Sequence, residues 1–184
     1  MENLVIQPKN LALLTAGVLF VLNLIWIAAR KPLRFLLAAN LFGFYLAALI
    51  SLTILPFPLS AFKQPLPESI FIPVKTNLFP FDMGRYGSMS PRLNQIDILN
   101  ILAFLPFGFL LPFTTQKGKL PILLYALLAT LIIETSQLLL SVRVTTYSRV
   151  FDVTDILTNT FGAWVGYLLS RPFFLTKKDK PQQD

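Results

Sequence analysis

The stretch ETSQLLLSVRVTTYSRVFDVTDILTNTFGAWVG, residues 134–166, decides how the chain is built. It sets Glu134 and Gln137 near the far end of one long apolar run and Asp155 and Asn159 near the start of the next, with Arg149 and Asp152 in the connector between them. Insertion scales put an acid at the centre of a bilayer helix at a cost of about 2.5–3.5 kcal/mol. These groups are therefore expected to face the interior of a helix bundle or one another, which makes an intramembrane polar cluster the default site.

The bulk composition agrees. Of 184 residues, 54% are hydrophobic and only 14% charged, and the mean hydropathy is +0.64, far too apolar for an ordinary soluble domain. The chain has no cysteine and no histidine, which excludes thiolate chemistry, imidazole general-base catalysis and the usual zinc sites. Oxygen donors alone would suit a hard cation such as Mg²⁺ or Ca²⁺, but no metal site and no cofactor are assigned. The net charge of +7 comes from basic residues scattered between apolar runs. Membrane topology and anionic lipid head groups account for that pattern better than a nucleic-acid partner does.

Outward from the central stretch, five apolar runs are read as an all-α polytopic bundle of about five transmembrane helices. The first, Leu11 to Ala29, has 19 residues and exceeds the 7–15 residues typical of a signal-peptide core. As a helix it covers about 28 Å, enough for a bilayer. The second, Phe35 to Leu55, follows the basic turn of Arg30, Lys31 and Arg34. A proline-rich connection from Pro56 to Asp97 comes next, with Phe57, Phe62, Phe71, Phe79 and Phe81 along it, and is expected to lie on the membrane surface as a lid. The third run, Ile98 to Phe113, has 16 residues and carries Pro106, Gly108 and Pro112, so a kinked or broken helix is expected. The fourth, Leu120 to Leu140, follows TTQKGK, and the fifth, Val153 to Leu169, ends at Arg171 and Pro172.

This divides the chain into an N-terminal hairpin (1–59), an interfacial loop (60–97), a three-helix core (98–170) and a basic tail (171–184). Alternate connections collect nine basic residues on one side (Arg30, Lys31, Arg34, Lys117, Lys119, Arg171, Lys177, Lys178, Lys180) and seven on the other. Four of those seven lie in the long loop, where they weigh little, so the first side is expected to be cytoplasmic, with the N-terminus out and the C-terminus in.

With that topology Asp97 and Asn100, Glu134 and Gln137, and Asp155 and Asn159 all fall in the outer half of the membrane, each pair spaced to share one helix face. On the fifth helix the stripe continues to Gly162 and Gly166, a GxxxG pair that admits a neighbouring helix. Arg149 can satisfy one or two carboxylates through its planar fork. Two interpretations stand side by side: a site for the polar head of a lipid-linked molecule, and a buried ion network that only fixes helix register. An enzyme using paired carboxylates is a third, although no Ser or Cys nucleophile with an adjacent base is visible.

Three blocks resemble the VanZ family of bacterial membrane proteins over Asn77 to Leu169. They are TNLFPF (76–81), DILNILAFLPFGFLLP (97–112) with Asn100, Pro106 and Gly108 in the family's positions, and ETSQ (134–137) followed by RVFDVTDILTNTFGAWVG (149–166). The resemblance implies a multi-pass protein of the bacterial plasma membrane, in a family whose namesake confers low-level resistance to the lipid-bearing glycopeptide teicoplanin. A housekeeping envelope role is implied equally. The expected partner is a membrane lipid or lipid-linked cell-wall precursor, held by Glu134, Gln137, Arg149, Asp152, Asp155, Asn159, Asp97 and Asn100. The chain departs from shorter family members by two full helices ahead of the first block and by GRYGSMSPR (84–92) before Asp97.

Overall fold

Proline and helix-capping chemistry mark out the first hairpin. Pro8 opens α1 (Pro8–Ala28) at the position where its missing N–H costs nothing. The helix closes with a double turn: Lys31 N–H donates to Trp26 O and Arg30 N–H to Ile27 O, both at 2.9 Å, with Arg30 left-handed at φ 54°. That is a Schellman closure with arginine in the place glycine usually takes. Pro32 then caps α2 (Leu33–Thr53). Within the hairpin, Asn23 and Asn40 exchange reciprocal amide hydrogen bonds of 2.8 and 2.9 Å, and each also donates to the carbonyl one turn earlier in its own helix.

The structure is a computed structural model that describes residues 5–58, 76–82, 95–115, 119–143 and 150–175. Beyond the hairpin lie α3 (Gln95–Thr115), α4 (Lys119–Arg143), α5 (Val153–Ser170) and the single turn α6 (Pro172–Leu175). The short strands β1 (Val5–Ile6) and β2 (Phe57–Pro58) pair antiparallel, β3 (Thr76–Asn77) and β4 (Phe151–Asp152) pair in parallel, and a 3-10 turn spans Pro80–Asp82. Among the described residues the protein is thus an all-α bundle of five long helices. Four, α1 to α4, are long and apolar enough to cross a membrane by length and composition. The fifth, α5, has 18 residues, about 27 Å of helix, and its buried face is largely polar and small: Thr154, Thr158, Asn159, Gly162, Ala163, Gly166 and Ser170.

Helix α3 is longer than its apolar run suggests, 21 residues rather than 16. Polar residues end the hydropathy signal at both edges without ending the helix. Asp97 sits in the first turn, where the helix dipole favours an acid, and Thr114 and Thr115 turn their hydroxyls back onto Leu111 O at 2.8 and 3.1 Å. The expected break at Pro106 is bridged instead. Tyr45 from α2 donates to Ala103 O at 2.7 Å, so a neighbouring helix supplies a partner to the backbone of α3 beside the proline. Partners from neighbouring helices are one of the ways a membrane helix tolerates an internal proline.

The core lies where α3 meets α5, the most extensive helix pair in the fold. A Cβ at Gly162 would strike Ile101 O, one at Gly166 would strike Leu105 O, and one at Gly108 would strike Ala163 O. The two backbones therefore touch directly, along two carbonyls one turn apart on α3. Around this seam pack Phe104, Phe107, Leu111, Ile122, Ala126 and Ile133. By contrast α1 fully buries only Leu19 and exposes most of its apolar side chains, Leu13, Leu14, Phe20 and Leu24 among them, as a lipid-facing helix does.

Gly166→Leu, which must displace the Leu105 carbonyl, is expected to cost about 1–3 kcal/mol or more. Gly17→Ala, with nothing within 4 Å of the new methyl, is expected to be neutral or to stabilise by up to ~1 kcal/mol. Thermal denaturation of both variants in detergent checks the pair, and an unchanged midpoint for Gly166→Leu would contradict the backbone contact.

Candidate functional site

The polar residues meet at one end of the bundle because the helices alternate in direction. Asp97 and Asn100 open α3, Asp155 and Asn159 open α5, and Glu134 and Gln137 lie in the second half of α4. The opposite end carries Arg30, Lys31 and Arg34 at the α1–α2 turn and Arg171 after α5. One end of the bundle is thus acidic and the other basic.

Asp152 is the pivot of the acidic end. It caps α5, its Oδ1 accepting from Thr154 N–H at 2.8 Å, while its Oδ2 accepts from Asn77 Nδ2 at 2.8 Å. Its own backbone N–H donates to Glu134 Oε2 at 2.9 Å. One residue thereby ties together α4, α5 and the segment 76–82. Thr154 adds a second tie, accepting Phe81 N–H at 2.9 Å. Phe81 is held in the left-handed region (φ 55°), which costs a non-glycine residue about 1–2 kcal/mol.

Two further contacts extend the cluster across the seam and into the bundle. Asn100 Nδ2 donates to Asp155 Oδ1 at 2.7 Å, joining α3 to α5, and Asn159 Nδ2 donates to Thr130 Oγ1 at 2.8 Å, joining α5 to α4. Gln137 turns away from these groups and donates to Thr53 O at 3.1 Å, at the end of α2. It therefore closes the last turn of the neighbouring helix rather than joining the carboxylates. Arg149 lies outside the described residues, as do the insertion at 84–92 and the tail beyond 175.

Burial separates a floor from a rim. Asp97, Glu134, Gln137, Asn159, Thr130 and Asn77 are buried, whereas Asn100, Asp152 and Asp155 are half-buried. Among the described residues the one buried side-chain polar atom without a partner is Thr160 Oγ1, outside the cluster. Also among the described residues, no three acidic side chains converge as a cation-holding group. What the arrangement offers chemically is a set of carboxylate and amide oxygens at the rim over a floor already fixed by internal hydrogen bonds.

Reading the sequence missed Asn77, Thr130 and Thr154 as members of the cluster. Asn77 was visible within TNLFPF, but its partner stands 75 residues away. The two threonines carry no signal, since a hydroxyl in an apolar run satisfies itself locally as often as not.

Among the described residues, five long helices of alternating direction, four of them apolar enough to cross a membrane, a carbonyl-on-glycine seam and a buried polar cluster define a multi-pass helical membrane protein. A family model described as VanZ/LLP1 matches residues 42–175. The chain belongs to the VanZ/LLP1 family. Comparison with curated proteins and with solved structures gives no match.

Because Asp152 N–H needs an acceptor at Glu134, Glu134→Gln, which keeps a side-chain oxygen, is expected to stay close to wild type in stability. Glu134→Leu, which leaves that N–H unsatisfied, is expected to lose about 1–3 kcal/mol or more. Equal denaturation midpoints for the two variants would remove Glu134 from its anchoring role.

Proposed function

We propose that the protein binds or reorganises the polar head of a cell-envelope lipid or lipid-linked precursor at the outer leaflet of the bacterial plasma membrane, and so lowers the access of a glycopeptide such as teicoplanin. The observation that carries this reading is that Asp152, Asp155 and Asn100 are half-buried beside the buried acids Asp97 and Glu134. Polar and ionisable groups at membrane depth are costly and mark functional sites by default. Arg149, three residues before Asp152, supplies a planar fork that matches phosphate in two hydrogen bonds. The acids orient that fork. The acidic end faces outward in this reading, because the basic turns and tail favour the cytoplasm.

The hydrogen bonds of Glu134, Asn159 and Gln137 to groups within the protein favour a second reading, in which the cluster only fixes helix register. The two readings part on a simple comparison. In a susceptible Gram-positive host, wild type is expected to raise the inhibitory concentration of teicoplanin but not of vancomycin. Arg149→Ala and Asp155→Ala are expected to abolish the rise at equal membrane levels and unchanged thermal stability. Loss of stability in step with loss of effect supports the register role instead. No rise with well-folded wild type ends the resistance reading and leaves lipid binding to native mass spectrometry.

Orientation is checked separately. The chain has no cysteine, so one appended after Asp184 is expected to react with an impermeant maleimide only once the membrane is permeabilised.

A further inference from the structure

The segment 76–82 is inside out for a loop exposed to water. Among its polar side chains Asn77 is 4% exposed and bonded to Asp152 and Thr76 is half-buried, while the apolar Leu78 and Phe79 at the tip are 64% and 63% exposed. Its backbone is tied down on both sides of that tip, by the parallel pairing of Thr76–Asn77 with Phe151–Asp152 and by Phe81 N–H on Thr154 Oγ1. Non-helical backbone at membrane depth is tolerated only where protein or a water-filled cavity satisfies it. Here the backbone on both sides of the tip is bonded to protein, while the apolar side chains of the tip point away from it.

Depth supports the same conclusion. Asp152, in register with Asn77, hydrogen-bonds Glu134, and α4 runs nine residues further to Arg143, about 13 Å of helix. A helical side chain leans toward the N-terminus of its helix, so Asp152 stands no higher than Glu134 itself. Above that level α4 still exposes Leu139, and the same end of the bundle exposes Leu52 on α2 and Ile96 and Leu99 on α3. These apolar surfaces carry the hydrocarbon boundary up past the segment.

We propose that residues 76–82 form a re-entrant strap whose Leu78–Phe79 tip is seated among the lipid acyl chains at the acidic end of the bundle. The partner is the hydrocarbon of the leaflet itself. The strap closes the rim of the polar cluster on one side, so that a molecule approaching there does so laterally from lipid. The insertion of the tip holds whether or not the cluster binds a head group.

The cysteine-free sequence makes a direct test practical. Phe79→Cys and, separately, Leu78→Cys are labelled with an environment-sensitive nitrobenzoxadiazole dye and reconstituted in phosphatidylcholine–phosphatidylglycerol vesicles. Leu128→Cys on the exposed face of α4 gives the reference for lipid, and the free dye conjugate gives the reference for water. Blue-shifted emission is expected at both tip positions, with strong quenching by lipids spin-labelled at carbon 5 and iodide quenching several-fold weaker than for the free conjugate. Iodide quenching equal to the free conjugate, with no effect of the spin-labelled lipid, would overturn the proposal. Size-exclusion profiles confirm folding, and either tip position is sufficient if the other variant fails to fold.

Discussion

Everything at the acidic end depends on how closely α3 and α5 approach. With carbonyls of α3 seated on Gly162 and Gly166, and Ala163 of α5 seated on Gly108, the backbones make contact without intervening side chains. Lipid tails are as apolar as leucine, so burial of apolar surface alone does not hold two helices together in a membrane. Close packing and hydrogen bonds between helices must do so. The seam supplies the first, and it sets the distance at which Asn100 can reach Asp155. One helical turn of larger residues in either helix would separate that pair and open the cluster from below.

The same constraint explains why α5 falls outside the four helices that are apolar enough to cross a membrane. Its polar face is turned to α3, α4 and the strap, where threonine, asparagine and aspartate find partners, and its outer face carries Leu157, Phe161, Trp164, Leu168 and Leu169. Hydropathy averaged over the helix mixes these two faces. Aspartate at the cap then does what hydrophobic packing cannot: it fixes the helix start, the strap and α4 at one point, with each carboxylate oxygen assigned to a different donor.

Much of this was legible in the sequence, for physical reasons. A bilayer forces long apolar runs, so five helices could be counted directly, and acids inside such runs are rare enough to identify a cluster from spacing alone. The three-and-four spacing of Asp152, Asp155, Asn159, Gly162 and Gly166 reported both the polar face and the seam. What spacing cannot report is which distant segment completes a hydrogen bond. Tyr45 reaches α3 across 58 residues, Asn77 reaches Asp152 across 75, and Gln137 finds a backbone carbonyl of α2 instead of the acids beside it in sequence. Helix ends were misjudged where polar residues continued the helix, as in α3, because hydropathy marks the edge of lipid and not the last hydrogen bond.

The Asn23–Asn40 pair bears on how far the hairpin depends on the rest of the chain. Each amide spends its donors on the other and on its own helix, so α1 and α2 together present little unsatisfied polarity to lipid. The family match begins only at residue 42, inside α2. The hairpin therefore needs nothing from the later helices to satisfy these amides, and it meets them through other groups, with Tyr45 on Ala103 O of α3 and Gln137 of α4 on Thr53 O.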